Sequence, residues 1–124
     1  MGNLLSKRLA TERLAASVRF SEILKEYEPT DGDEVFERIV SDAIRFHGLA
    51  PADLAGEFNV AQATISRWAS GKSRPPIYAR RNMVERIAKL IRYRCERLTG
   101  RPTGGLQGIS GVEVEFEDLR SHSL

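Results

Sequence analysis

Between residues 48 and 76 the chain is punctuated by residues that stop or bend helices: Gly48, Pro51, Asn59, Gly71 and the pair Pro75-Pro76. No long helix can cross this stretch, so whatever forms there is short and sharply turned. Pro51 suits a first helical position, because its fixed φ is helical and its missing N–H would have no partner there. A first helix is therefore predicted from about Pro51 to Phe58. Asn59 follows where the chain must bend, and Asn is the non-glycine residue that best tolerates a left-handed conformation. A second helix is predicted from about Ala61 to Ser70, with Gly71 as its C-cap.

Helical spacing sorts the second helix into two faces. Ala61, Ile65 and Trp68 share one side and are expected to pack inward against Leu54, Ala55 and Phe58. Ala63, Ser66, Arg67 and Ser70 face the other way, with Gln62 and Thr64 at the flanks. An outer face that is small, polar and carries one guanidinium suits insertion into the DNA major groove. Taken alone it suits an ordinary solvated face equally well.

The segment resembles the helix-turn-helix of the lambda-repressor-like family, also called the xenobiotic-response-element type of bacterial regulator. The resemblance rests on Leu54-Ala55, Asn59-Val60, Gln62, Thr64-Ile65-Ser66, Trp68, Gly71-Lys72 and Pro75. With flanking helices it extends over residues 33–98. It implies an all-α, lambda-repressor-like bundle that binds double-stranded DNA as a homodimer and regulates transcription as a repressor. It also implies site residues. Gln62, Ala63, Thr64, Ser66 and Arg67 would meet base edges. Ala61, Lys72, Ser73 and Arg74, extended by Tyr78, Arg80 and Arg81, would meet phosphates. Two departures stand out: Ala50 and Ala61 occupy positions where the family often has Ser or Thr caps, each worth about 1 kcal/mol. The basic helix after the motif also continues further than is usual in the family.

Charge distribution agrees with that implication. Residues 61–101 hold 11 Lys/Arg against 2 Asp/Glu, whereas residues 1–60 hold 7 against 11 and residues 102–124 hold 1 against 4. The basic third coincides with the second helix and the residues C-terminal to it, as phosphate binding requires. Cys95 is the single cysteine, so no internal disulfide forms and a reducing, cytoplasmic compartment is expected. No apolar run is long enough to span a membrane. Met1-Gly2-Asn3-Leu4-Leu5-Ser6 fits the short myristoylation pattern, which in such a chain reads as coincidence.

An N-terminal amphipathic helix is predicted within residues 1–29. Leu5, Leu9, Ala16, Phe20, Ile23 and Tyr27 form one stripe, and Leu4, Leu14 and Val18 a smaller one opposite. Two apolar faces place the helix between its own domain and a second copy, with Leu5, Leu9, Phe20, Ile23 and Tyr27 as the dimerisation residues. Glu28-Pro29-Thr30-Asp31-Gly32-Asp33 is a break. A core helix then runs from about Glu34 to His47, with His47 a helix-end residue bonded to backbone or water. Residues 77–98 read as one helix, or two with a bend, burying Met83, Ile87, Leu90, Ile91 and Leu98. Cys95 is expected to be buried and inert.

Residues 99–124 form a Gly-rich linker and an acidic tail. Within it Val112-Glu113-Val114-Glu115-Phe116-Glu117 alternates strictly and predicts a short β-strand. A lone strand needs a partner. Residues 112–118 therefore suggest a strand paired across the dimer, a dock on another protein, or a fold back onto the basic face as an acidic mimic of DNA. Catalysis finds no support: His47 and His122 lack a third member for a triad, no metal-ligand spacing appears, and Gly71-Lys72-Ser73 has Ser66 where a P-loop needs glycine. Neither an enzyme nor a cofactor is implied. Two other roles remain open. One is the antitoxin of a toxin–antitoxin pair that represses its own operon and binds a toxin through the C-terminal segment. The other is a protein-interaction adaptor built on the same two helices.

Overall fold

The computed structural model describes residues 3–100, whose regular structure is entirely helical. Five α-helices succeed one another: α1 (Asn3–Ile23), α2 (Asp33–Arg45), α3 (Pro51–Phe58), α4 (Gln62–Ser70) and α5 (Ile77–Thr99). Short 3₁₀ turns at Leu24–Glu26 and Pro29–Asp31 bridge α1 to α2. The chain is therefore all-α over this range. The N-terminal Met1-Gly2 pair, nearly all of the linker and the strand predicted at 112–117 lie outside the described residues. Among the described residues no helix is long and apolar enough to cross a membrane.

Local sequence explains where the helices start and stop. Asp33 and Glu34 sit in the first turn of α2, where carboxylates favour the positive end of the helix dipole. The helix ends at Arg45, two residues before the predicted end at His47, because Gly48 turns left-handed and lets the Leu49 N–H reach the Ala43 carbonyl at 3.2 Å. Pro75-Pro76 holds off α5 until Ile77. From there α5 runs unbroken for 23 residues, about 35 Å.

Phe36, Val40, Leu54, Ile65, Val84, Ile87 and Ile91 are fully enclosed where α2, α3, α4 and α5 converge. On α5 the buried stripe is Val84, Ile87, Ala88, Ile91 and Cys95, with Met83 and Leu90 at its margin. Leu98, expected inward, is 58% exposed, on the wall of an open groove between α1, the end of α2 and α5. Burial also pushes the Cys95 thiol up, leaving it protonated and unreactive.

α1 lies along α5, but on a different face from the one its leucines suggest. Ser17, Ser21 and Leu24 are buried, with Leu14 and Val18 packed at the margin. Tyr27 is enclosed in the chain's own core, and Phe20 packs on that core while stacking on His47 at 4.2 Å. The chain's own core thus takes up these two of the expected dimerisation residues. Leu5, Leu9 and Ile23 stay exposed. The physical reason is that both serines hide their polarity: the Ser21 hydroxyl donates to the Val18 carbonyl at 2.7 Å, and the Ser17 hydroxyl is bonded to His47 Nδ1 at 2.9 Å. A hydrophobicity pattern counts such residues as solvent-facing.

The Ser17–His47 bond also corrects the expectation that His47 meets backbone or water. Burial pushes the His47 pKa below the usual imidazole value, against the opposing pull of Asp42. The folded state therefore binds fewer protons than the unfolded state. Its contribution to stability is complete above about pH 6.5 and is lost as pH falls through the lowered folded value. Urea unfolding midpoints should decline between pH 7.5 and 5, and His47→Gln should flatten that decline.

Candidate nucleic-acid interface

The unit formed by α3 and α4 is built from local rules. Ala50 has no side-chain acceptor, but Asp53 reaches back and accepts the Ala50 N–H at 2.8 Å, so half of the missing cap is supplied from the other side. α3 ends at Asn59, with φ 57° and ψ 51°, and the Val60 N–H closes onto the Ala55 carbonyl at 3.0 Å. The last turn of α3 is then tied to α5. Arg86 donates from Nε to Glu57 Oε2 at 2.8 Å and from Nη2 to the Glu57 carbonyl at 2.7 Å, with its guanidinium 5.2 Å from the Phe58 ring centre.

α4 is seated by Ile65 and Trp68. Both are buried, and the indole lies 6.1 Å from the Phe36 ring and 6.2 Å from the Phe58 ring. This leaves Gln62, Ala63, Ser66 and Arg67 exposed on the outside of one helix, with Thr64 half-buried between them. Arg67 Nη2 donates to Thr64 Oγ1 at 3.4 Å, which biases the guanidinium along the helix. Ala61, expected inward, is exposed, because it is the extended N-cap residue and not part of the first turn. No side chain caps α4, and the Gln62 and Ala63 amides meet no acceptor among the described residues. They are the positive end of a helix dipole open to solvent.

Gly71 ends α4 with φ 79°, and the Lys72 N–H returns to the Arg67 carbonyl at 2.9 Å. A side chain at Gly71 is excluded twice over, by that backbone conformation and by the Glu37 carboxylate, whose Oε1 would lie 2.5 Å from an added Cβ. Lys72 is exposed and forms no ion pair among the described residues, Ser73 is half-buried, and Tyr78 is 88% exposed.

The remaining cations expected at phosphates have partners inside the molecule. Arg80 is only 5% exposed: Nη1 donates to Asp33 Oδ1 at 2.6 Å and Nε to the Pro75 carbonyl at 3.1 Å. It is therefore a structural cation, and its expected place among phosphate contacts is withdrawn. Arg74 lies 3.3 Å from Glu37 and 3.5 Å from Asp33, and Arg81 is paired with Glu28 and donates to the Tyr27 carbonyl. Sequence reasoning missed this set of acids. The only signal was that Asp33 and Glu37 stand four residues apart on one face of α2, and nothing in the sequence joins them to arginines about 40 residues away.

Among the described residues, no cluster of His, Cys, Asp or Glu could hold a metal ion. Comparison with protein-family models, curated proteins and solved structures finds no match for this chain.

Two outcomes test the framework. Asn59→Val should lower stability by about 1–2 kcal/mol, because a β-branched residue resists the left-handed conformation, while Asn59→Gly should be close to neutral; thermal unfolding distinguishes them. The Arg80 hydrogen bond also holds the Asp33 carboxyl below the usual carboxylate range, helped by the charges of Arg74 and Arg80 against desolvation. Arg80→Ala should therefore raise the Asp33 titration seen by NMR. Loss of the two bonds made by the buried guanidinium should also lower the stability of the fold by about 2 kcal/mol.

Proposed function

We propose that this chain is a sequence-specific double-stranded DNA-binding regulator of the lambda-repressor-like helix-turn-helix type, acting as a transcriptional repressor. The observation that carries the reading is the outer face of α4, where Gln62, Ala63, Ser66 and Arg67 are exposed beside an uncapped helix N-terminus. Docking has a positioning part and a reading part. The Gln62 and Ala63 amides, Lys72, Ser73 and Tyr78 hold phosphate oxygens and set the register. Arg74 and Arg81 join them only by exchanging an internal carboxylate for a phosphate. Gln62, Thr64, Ser66 and Arg67 then meet base edges. By geometry Arg67 favours guanine and Gln62 adenine, each worth about 1–3 kcal/mol of discrimination.

The proposed homodimer uses the exposed Leu5, Leu9 and Ile23 of α1. Two α4 helices about 34 Å apart would read a palindrome with half-sites about one turn apart. No catalytic step or cofactor belongs to this function.

One observation favours the adaptor reading as the second choice. Asp33 and Glu37 lie against the loop after α4, and their charge opposes phosphate there. An antitoxin role would add a protein contact at the C-terminal segment, and co-purification with the product of a neighbouring small gene is its signature.

Selection of bound duplexes from a random pool at two salt concentrations decides between DNA and protein as ligand. A recovered palindrome supports the regulator, whereas no enrichment by the folded protein favours the adaptor. Arg67→Ala should weaken binding and blur one position of the recovered site. Lys72→Ala should weaken all sequences alike and reduce the salt slope by about one. If the two variants behave identically, the division into reading and positioning residues is wrong.

A further inference from the structure

A groove opens between α1, the end of α2 and the last turns of α5. Its lining combines apolar Leu14, Phe46 and Leu98 with the guanidinium-bearing Arg13, Arg45 and Arg94. Phe46 is 63% exposed, with the Arg45 guanidinium 5.4 Å from its ring centre, so much of an aromatic ring meets water there. None of the three arginines forms an ion pair with a described acid, unlike Arg74, Arg80, Arg81 and Arg86, which are all paired. An apolar floor under unpaired cations calls for an occupant that alternates apolar and acidic groups.

The chain carries such a segment. Residues 112–119, Val112-Glu113-Val114-Glu115-Phe116-Glu117-Asp118-Leu119, hold four carboxylates, no cation, and apolar residues at every second position from Val112 to Phe116. The path is short. α5 delivers the chain at Thr99, one residue past Leu98 on the groove wall, and eleven residues separate Gly100 from Val112. A glycine-rich chain of that length has a typical end-to-end distance of about 20 Å and a maximum near 40 Å. Tethering at this range raises the local concentration of the segment to the order of millimolar, so modest contacts suffice.

We infer that residues 112–119 dock within their own chain into the groove between α1, the end of α2 and α5. Val112, Val114 and Phe116 cover Phe46, Leu98 and Leu14, while Glu113, Glu115 and Glu117, on the outer face of the extended segment, are met by the long side chains of Arg13, Arg45 and Arg94 folding over it from the groove edges. The groove contains no residue of α4, so a docked tail leaves Gln62–Ser70 open. This inference stands whether or not α4 binds DNA.

The test is paramagnetic broadening in the full chain, with a nitroxide on Ser121→Cys and buried Cys95 left in place. The expected result is loss of amide intensity at Leu14, Phe46 and Leu98. Signals should recover in high salt, in the triple variant Glu113→Lys, Glu115→Lys, Glu117→Lys, and in Arg45→Glu, whose side chain is exposed. Broadening at Gln62–Arg67 instead would mean that the tail covers the α4 face, and would overturn the assignment. Broadening of ¹⁵N-enriched, unlabelled chains when mixed with spin-labelled, unenriched ones would place the segment on a second copy, which also overturns it. Groove signals of undiminished intensity in the singly labelled chain would refute docking altogether.

Discussion

The guanidinium of Arg80 is buried where three parts of the chain meet, and their relative placement depends on it. Taking an ion out of water is unfavourable unless its donors are satisfied. Here Asp33, at the start of α2, and the Pro75 carbonyl, in the loop after α4, accept from it, and the Phe36 ring lies 5.8 Å from its centre. The side chain itself belongs to the first turns of α5. One cation thus fixes the beginning of α2, the exit from α4 and the entry to α5. Because Trp68 rests on Phe36, the same joint sets which way the outer face of α4 points. Arg86 does the equivalent at the other end, holding the last turn of α3 to the middle of α5.

The parts of the fold that the sequence predicts well are those governed by local chemistry. Pro51, Asn59, Gly71 and the Pro75-Pro76 pair act within a few residues of themselves, and the bounds of α3 and α4 come from them almost directly. The orientation of α1 was not legible in this way. Its leucines and aromatics define a stripe, yet the helix is seated through Ser17 and Ser21, whose hydroxyls are satisfied by Val18 and by His47, 30 residues along the chain. Small size and a local hydrogen bond let a serine behave as a core residue. A pattern based on hydrophobicity cannot register that.

The candidate site divides along the same line. Exposure of Gln62, Ala63, Ser66 and Arg67 results from helical spacing once Ile65 and Trp68 are placed inside. The roles of the arginines do not. Counting charges along residues 61–101 gives a strongly basic segment, but Arg74, Arg80, Arg81 and Arg86 all meet carboxylates contributed from residues 28–57. The field that an approaching polyanion meets is set by which cations remain unpaired, and these include Arg67 and Lys72. The acidic first half of the chain, which in sequence looks like a separate region, is in space the counter-charge of the basic second half.

Trp68 is the chain's single tryptophan. It is held between Phe36 and Phe58, one residue from Arg67 and at the junction of α2, α3 and α4. The molecule therefore has an intrinsic optical probe at one defined place. Its emission reports whether α4 is seated, and a ligand on the outer face would act within one residue of the chromophore. α1 packs instead along α5, so peeling that helix away would go unseen by selectively excited tryptophan emission while remaining visible in far-ultraviolet circular dichroism. Any mismatch between the two signals during unfolding would separate release of α1 from loss of the α2–α4 seat without introducing a label.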